Sequence, residues 1–311
     1  MATVGEQQSA KGYFLAVTTY LLWGLFPLYF SLLAGVGALE IIVHRAFWGL
    51  LTCLVWLTLT LSLPSLRAVW RDRRSRNWLF LAGYLIALNW TTYVYAVTTG
   101  RTVDAALGYF VNPIVTAALG IFVLREQVNR FQMTAIALGV VAVVVVIVGT
   151  RTLPWVSMVL AISFGVYSLA KKKVSAGVPA VTGMFYETVA IIPPLGVYQI
   201  FLVYQGEDAF HSAAITGSSP GVILALLAGA GVITVFPLVM FAAAAKELPL
   251  GIIGLLQYIS PVMQLVIGVV VFHEYMPTAR WVGTAIVWVA LMFLAADSVR
   301  ATRRRRQLAR G

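Results

Sequence analysis

The stretch NPIVTAALGIFVLRE (residues 112–126) recurs 148 residues further along the chain as SPVMQLVIGVVVFHE (residues 260–274). A proline, a glycine and a glutamate occupy the same places in both copies: Pro113 and Pro261, Gly120 and Gly268, and Glu126 and Glu274. This repeat indicates that the chain is built from two related halves. How the halves are oriented depends on the number of helices in each.

The composition is typical of a protein surrounded by lipid. Of the 311 residues, 60% are hydrophobic and only 11% are charged, whereas soluble domains are about 45–50% apolar and about 25% charged. Cys53 is the single cysteine. A disulfide framework is therefore excluded and a thiolate metal site is not expected. We expect no metal, no cofactor and no catalytic residues.

Long apolar stretches separate the charged residues. About 20 apolar residues in a helix cross a hydrocarbon core roughly 30 Å thick. Runs such as GVVAVVVVIVG (residues 139–149) do not alternate, so the segments are helices and not strands of a barrel. We predict an all-α polytopic membrane protein with ten transmembrane helices, near residues 12–33, 38–61, 77–99, 103–124, 131–150, 153–170, 180–204, 220–244, 249–272 and 278–297.

The positive charges are sorted to one side of these ten spans. Apart from Arg45, which lies within a span, only Arg101, Arg151 and Arg280 fall on the opposite side. The other eighteen lie on the side of the termini: Lys11, five arginines between 67 and 76, Arg125, Arg130, Lys171, Lys172, Lys173, Lys246 and six arginines between 300 and 310. Cytoplasmic loops carry such an excess. We therefore expect a multi-pass protein of the plasma (inner) membrane with both termini in the cytoplasm.

The ten spans divide into two sets of five. The first repeat covers residues 12–150 and the second residues 151–298, between a cytoplasmic tail (1–11) and a basic cytoplasmic tail (299–311). Because five is odd, the second repeat enters the membrane in the opposite orientation. Inverted repeats of this kind are typical of transporters that open alternately to either side of the membrane. A pore or an enzyme does not need them.

Several polar and aromatic side chains lie inside the spans, where polar groups are costly. Asn112 and Gln257 adjoin the two repeated prolines, each of which leaves a backbone carbonyl without its helical donor. They either line a midplane cavity between two kinked helices or bond to neighbouring helices, while the glycines of these helices favour close packing. A wider set predicts a substrate site with aromatic walls: Trp23, Asn89, Tyr93, Tyr109 and Tyr258.

Four ionisable side chains also fall within spans. Glu40 and His44 are one turn apart on the second span, and Arg45 follows. Arg45 either faces the cavity, where it holds a substrate carboxylate or closes a gate, or extends to the outer interface. Glu187 has the equivalent place in the seventh span but lies in the opposite leaflet, so a direct salt bridge with Arg45 is not expected. Glu187 either carries a coupling proton, as Glu40 or His44 could, or is neutralised by Arg or Lys from a neighbouring helix.

The C-terminal segment RRRRQLAR (residues 303–310) is the densest positive charge in the chain. It either anchors the topology or binds the headgroups of anionic membrane lipids. Because the remaining positive charge is spread over loops between apolar spans, nucleic acid is not an expected partner.

Six motifs occur in order between Lys11 and Ala296: YLLWGLFPLYF, ALEIIVHRAFW, LGYFVNP, MFYET, VFPLVMFAAAA and LQYISP. Together they resemble the RarD branch of the EamA transporters, in the drug/metabolite transporter superfamily. The resemblance implies ten helices in inverted five-helix repeats, a central cavity, and carriage of small metabolites, often amino acids or related compounds and frequently outward. One position departs from the pattern, because Gly49 stands where family members usually have a serine.

We predict a secondary-active transporter that exports a small organic, amino acid-like or drug-like solute by alternating access, driven by exchange, the substrate gradient or protons. The alternative is a passive channel or facilitator, which needs a continuous polar path. A membrane enzyme would need a cluster of reactive groups, and the three histidines, His44, His211 and His273, lie in distant segments.

Overall fold

The computed structural model describes residues 4–124, 129–174, 177–211, 219–248 and 250–308, and it contains no strand in those ranges. The helices are α1 (Val4–Gly24), α2 (Phe26–Ser31), α3 (Ala38–Leu59), α4 (Pro64–Arg71), α5 (Arg73–Thr98), α6 (Thr102–Leu124), α7 (Arg130–Thr150), α8 (Trp155–Lys172), α9 (Ala180–Gln205), α10 (Pro220–Glu247), α11 (Leu250–Leu256), α12 (Ile259–Val266) and α13 (Thr278–Leu308). A π-helical turn, Ile267–Val271, follows α12 directly.

The helical, multi-pass architecture expected from the sequence is confirmed. In the described ranges, nine helical segments are long and apolar enough to cross a membrane. The sixth expected span, residues 153–170, corresponds to α8, which is not among the nine. It is only 18 residues long and ends in Lys171 and Lys172, so its apolar part is short.

Two of the spans are interrupted rather than continuous. The first breaks at Leu25 between α1 and α2, because Pro27 has no N–H to donate to the carbonyl of Trp23. That carbonyl accepts a hydrogen bond from the Gln264 amide instead, at 3.2 Å. The ninth span breaks at Gln257 and Tyr258, between α11 and α12, whereas α6 continues through Pro113 without interruption.

The helices form two compact units, each with helices from both halves of the sequence. The first unit comprises Met1–Gly24, Arg101–Val166 and Ala244–Gly311, and the second comprises Leu25–Gly100 and Tyr167–Ala243. The predicted halves, residues 12–150 and 151–298, therefore describe the repeat along the chain and not these units.

In the first unit, α6, α7, α12 and α13 pack around a core that includes Phe110, Ile114 and Leu265. Small residues allow the helices to approach closely, as is usual in membranes. A Cβ on Gly108 would collide with the backbone of Ser157, and a Cβ on Gly268 would press on Val103. For these two glycines, close packing is the arrangement that the structure shows.

In the second unit, α3 and α5 both pack against α9. Its core includes Cys53 and Leu57 of α3 with Met184 of α9 and Val235 of α10. The unpaired Cys53 is fully buried and belongs to this apolar cluster.

Candidate functional site

Arg45 is the central charged group of the second unit. It lies two turns into α3, and only 4% of its surface is exposed. Its Nε donates a hydrogen bond to Oγ1 of Thr234 in α10, at 2.7 Å. Thr234 in turn donates to the carbonyl of Ala230, at 2.8 Å, which orients the hydroxyl oxygen as an acceptor for Arg45.

Three aromatic rings surround the guanidinium of Arg45. Its Cζ lies 4.1 Å from the centre of the Trp90 ring, 5.5 Å from that of Phe30 and 5.7 Å from that of Phe26. At such distances the ring faces attract a cation. Arg45 is thus held inside the helix packing of the second unit.

Tyr93 extends this aromatic group along α5. Its ring makes an edge contact with Phe30, with the centroids 6.2 Å apart, and only 3% of its surface is exposed. Asn89, one turn earlier on the same helix, is also buried. The structure therefore brings Arg45 and Tyr93 into contact with a common ring, that of Phe30.

Glu40 braces the chain that follows α9. Its Oε1 accepts hydrogen bonds from the backbone N–H of Ala209, at 2.8 Å, and from the amide of Gln199, at 3.1 Å. The ring of His44, one turn further along α3, makes an edge contact with Phe210. Its Nε2 is buried and has no hydrogen-bond partner within the described part of the chain.

Asp208 belongs to the same segment after α9. Its side chain accepts from the backbone N–H of Phe210, at 2.9 Å, and pairs with the ring of His211. Burial acts to raise the pKa of this carboxyl, but the hydrogen bonds from His211 and Phe210 outweigh it, and the pKa lies below its usual value.

The carboxylate of Glu187 forms an ion pair with a neighbouring helix. Its Oε1 pairs with Nζ of Lys171, and its Oε2 accepts a hydrogen bond from the hydroxyl of Tyr167, at 3.2 Å. Both partners belong to α8. The carboxylate is 95% buried whereas one third of the Lys171 side chain is exposed. Gly83 of α5 lies directly against the backbone carbonyl of Glu187.

The remaining predicted site residues belong to the first unit. Trp23 makes an edge contact with Tyr20, and Tyr258 packs against the core around Phe110. Asn112 accepts a hydrogen bond from Thr116 of its own helix, at 3.4 Å. Tyr109 lies on α6, and Gln257 lies in the turn between α11 and α12. Trp23, Tyr109 and Tyr258 are thus in a different unit from Asn89 and Tyr93.

The first unit also contains ionic contacts at helix ends. Glu274 accepts from the backbone N–H groups of Thr102, at 2.7 Å, and Val103, at 2.8 Å, so its carboxylate caps the start of α6. Its counterpart in the repeat, Glu126, lies outside the described residues. Beside this cap, Arg280 pairs with Asp104 at 3.1 Å.

The sequence predicted Arg45 and Glu187 but not their partners. Thr234 could have been singled out from the sequence, because it is the only polar side chain between residues 220 and 244. Nothing in the sequence distinguishes Lys171, since it belongs to a run of three lysines. Among the described residues, no group of three His, Cys, Asp or Glu side chains is arranged to hold a metal ion.

Comparison with known proteins gives one family along nearly the whole chain. The model of the EamA-like transporter family matches residues 10–148 and again residues 153–296. RarD of Streptomyces exfoliatus is 38% identical over 301 residues, which cover 97% of this chain and 93% of that protein. RarD of Escherichia coli (strain K12) is 33% identical over 298 residues, 96% of this chain and 98% of that protein.

Two further similarities extend this result. An uncharacterized transporter of Pseudomonas aeruginosa, PA0485, is 39% identical over 298 residues, 94% of this chain and 96% of that protein. A solved structure aligns with a TM-score of 0.58 at 17% identity, over 91% of this chain and 96% of that one. The structural match supports a shared fold.

Proposed function

Because the chain belongs to the EamA-like transporter family, we propose that it is a secondary-active transporter that moves a small organic solute out of the cell by alternating access. It is a multi-pass membrane protein of a bacterial transporter family. The proposed substrate is an amino acid-like or drug-like molecule, and the proposed location is the plasma (inner) membrane with both termini in the cytoplasm.

The observation that carries this proposal is the environment of Arg45. A guanidinium at membrane depth is costly, and charged side chains in such places usually belong to a transport pathway. Here the rings of Phe26, Phe30 and Trp90 and the hydroxyl of Thr234 hold it in one orientation. A fixed guanidinium recognises a carboxylate through two parallel hydrogen bonds, and the rings favour an apolar part of the same molecule. Both features favour a solute with a carboxylate and an organic side chain.

Glu187 is the proposed site of coupling. Protonation of Glu187 would break its ion pair with Lys171, and deprotonation would restore it. The contact between α9 and α8 would then depend on whether Glu187 carries a proton. Glu40 is the second candidate, although its bonds to Ala209 and Gln199 favour a bracing role.

The test combines a ligand search with an exchange assay. Purified protein is first screened for thermal stabilisation by amino acids and related carboxylates, and the stabilising compounds are then tested for counterflow in liposomes. Unlabelled substrate on the far side accelerates uptake by a carrier. Uptake that is indifferent to it would identify the alternative, a passive channel or facilitator.

Substitution of Arg45 then tests the site. Arg45→Ala should reduce exchange about 30-fold or more, since it leaves a substrate carboxylate buried without its partner. Arg45→Lys should restore only part of the activity, because an ammonium lacks the planar fork. The control is Arg130→Ala, which removes an exposed arginine at the start of α7. Normal exchange by Arg45→Ala, at wild-type abundance in the membrane, would refute the assignment.

A further inference from the structure

The short helix α4 lies between two candidate spans, α3 and α5, and therefore at a membrane surface. Its sequence, PSLRAVWR, and the start of α5 place five arginines within ten residues: Arg67, Arg71, Arg73, Arg74 and Arg76. A basic loop of this kind is expected on the cytoplasmic side for reasons of topology alone. The structure of α4 goes beyond that requirement, because two of the five line a cavity.

Three contacts fix α4 in place. The Tyr186 hydroxyl of α9 donates a hydrogen bond to the carbonyl of Leu66, at 2.7 Å. Val69 is buried with Leu79 and Tyr186. The ring of Trp70 is stacked on that of Tyr186, with an interplanar angle of 25°. This helix is therefore a rigid part of the second unit and not a loose charged loop.

Arg76 of α5 contacts Trp70 of α4 through both its ring and its backbone carbonyl. Its Cζ lies 4.7 Å from the centre of the Trp70 ring, and its Nη1 donates to the Trp70 carbonyl at 3.1 Å. The guanidinium of Arg76 is thus occupied with the helix itself. Its contacts hold the Trp70 ring at the edge of the cavity.

The cavity has a volume of about 250 Å³ and is lined by Leu66, Arg67, Trp70, Arg71 and Tyr186. Arg67 and Arg71 are one turn apart and lie on the same face of α4. Both side chains are exposed, and neither forms an ion pair with another described residue. Two free guanidinium groups beside two aromatic rings are the arrangement that binds a phosphate group.

We propose that this cavity binds the phosphate headgroup of an anionic phospholipid, with Arg67 and Arg71 as its ligands. The chain that leads into α4 exposes apolar surface at Leu59, Leu61 and Leu63. A lipid has acyl chains to cover such a surface, whereas a soluble phosphate compound does not. The exposed ring of Trp70 suits the level of the headgroups, where tryptophan is enriched.

The proposal differs from general attraction between a basic loop and a charged membrane. General attraction depends on the number of charges near the surface, so that any two arginines of the segment would contribute alike. A defined site depends on Arg67 and Arg71 alone. Arg73 and Arg74 are also exposed but do not line the cavity, and they provide a matched control with the same loss of charge.

The test measures lipid binding to the purified full-length protein in neutral detergent by native mass spectrometry. Phosphatidylglycerol is titrated against phosphatidylcholine for the wild type, R67Q/R71Q and R73Q/R74Q. We expect the wild type to prefer phosphatidylglycerol at one tight site. R67Q/R71Q should weaken that site about 10- to 30-fold, and R73Q/R74Q should change it by about twofold or less.

Two further measurements complete the test. Thermal unfolding of each variant without lipid controls for folding, and the single variants R67Q and R71Q should each show an intermediate loss. The proposal is overturned if both double variants lose affinity equally, or if the wild type does not distinguish the two lipids. Displacement of phosphatidylglycerol by inorganic phosphate alone would instead assign the cavity to a soluble phosphate compound and also overturn it.

Discussion

Arg45 and Glu187 are both buried in the second unit, but their charges are stabilised in different ways. Arg45 is surrounded by aromatic rings and one hydroxyl, whereas Glu187 pairs with Lys171. A guanidinium keeps its proton under all conditions that a protein meets, while a carboxylate can gain one. Of the two residues, Glu187 is therefore the one that we propose for proton coupling, and Arg45 is the one that we propose for substrate recognition.

Glu187→Gln should separate exchange from proton coupling. The amide keeps the size of the side chain but cannot titrate, so we expect accumulation driven by a pH gradient to disappear while exchange of substrate persists. Glu247→Gln is the matched control, because Glu247 is a carboxylate paired with Lys11 at 3.7 Å, in a more exposed place. Proton-driven accumulation that persists in Glu187→Gln would exclude this residue as the coupling site.

Asp208→Asn should lower the free energy of unfolding at neutral pH, and that free energy should then depend less on pH than in the wild type. The folded-state pKa of Asp208 lies below its usual value, so its contribution is present at neutral pH and is lost as the pH falls below about 4. Hydrogen bonds to a charged group are worth about 1.5–3 kcal/mol. Thermal unfolding between neutral and acidic pH should show the two proteins converging at the acid end. An equal difference between them at every pH would contradict the assignment.

At the level of helices, two helix–helix crossings in the second unit depend on a glycine at the point of contact. Gly231 of α10 lies against the backbone of Trp48 and Gly49 in α3, and Gly83 of α5 lies against the carbonyl of Glu187. The first crossing brings Thr234, one turn beyond Gly231, within reach of Arg45. Close packing of α10 on α3 is therefore what places the hydroxyl beside the guanidinium.

Gly231→Ala should disrupt this crossing, whereas Gly49→Ser should not. A Cβ on Gly231 would collide with the α3 backbone, and such overpacking costs about 1–3 kcal/mol. A Cβ on Gly49 would meet its nearest neighbours at an ordinary 3.9 Å. Thermal unfolding of the purified variants distinguishes the two cases. Equal stability of both variants would show that α3 and α10 are not held this closely.

The sequence predicts the helices better than the breaks within them. The spans expected at residues 103–124 and 131–150 correspond to α6 (Thr102–Leu124) and α7 (Arg130–Thr150), because polar residues bound both apolar runs. The interruption at Leu25 is not evident from the apolar pattern. It becomes stable through the Gln264 amide, which is 241 residues away in the chain.

The same limit applies to the candidate site. Arg45 and Glu187 stand out because a charge in an apolar run is visible in the sequence itself. Thr234 and Lys171 acquire their roles only when α10 packs on α3 and α8 on α9, and no periodicity within one helix contains that information. The aromatic set that the sequence predicts as one substrate site has members in both units.

At the level of the whole molecule, the chain moves between the two units at equivalent places in its two halves. It leaves the first unit after Gly24 and again after Val166, and it returns after Gly100 and again after Ala243. The intervals between corresponding positions are 142 and 143 residues. The chain therefore passes between the units at nearly the same interval in both halves, and α8 is the counterpart of the first span in this pattern.

Cysteine labelling tests whether α8 crosses the membrane. The single native cysteine, Cys53, is fully buried, so the background should be low. Thr152→Cys and Lys173→Cys introduce exposed thiols at the two ends of α8. We expect a membrane-impermeant maleimide to label Thr152→Cys in intact cells and Lys173→Cys only after permeabilisation. Labelling of both from one side would show that α8 does not span the membrane.

Each unit contains segments from both halves of the chain, so contacts between the two halves within a unit can form only after the residues of the second half have been synthesised. Arg45 leaves the ribosome 189 residues before Thr234. At about 5–20 residues per second, that interval lasts about 10–40 s. Throughout it, Thr234 of α10 has not yet been made, so the guanidinium on α3 lacks the hydroxyl that later binds it. The first half of the chain therefore enters the membrane before the hydroxyl that later binds its buried guanidinium has been made.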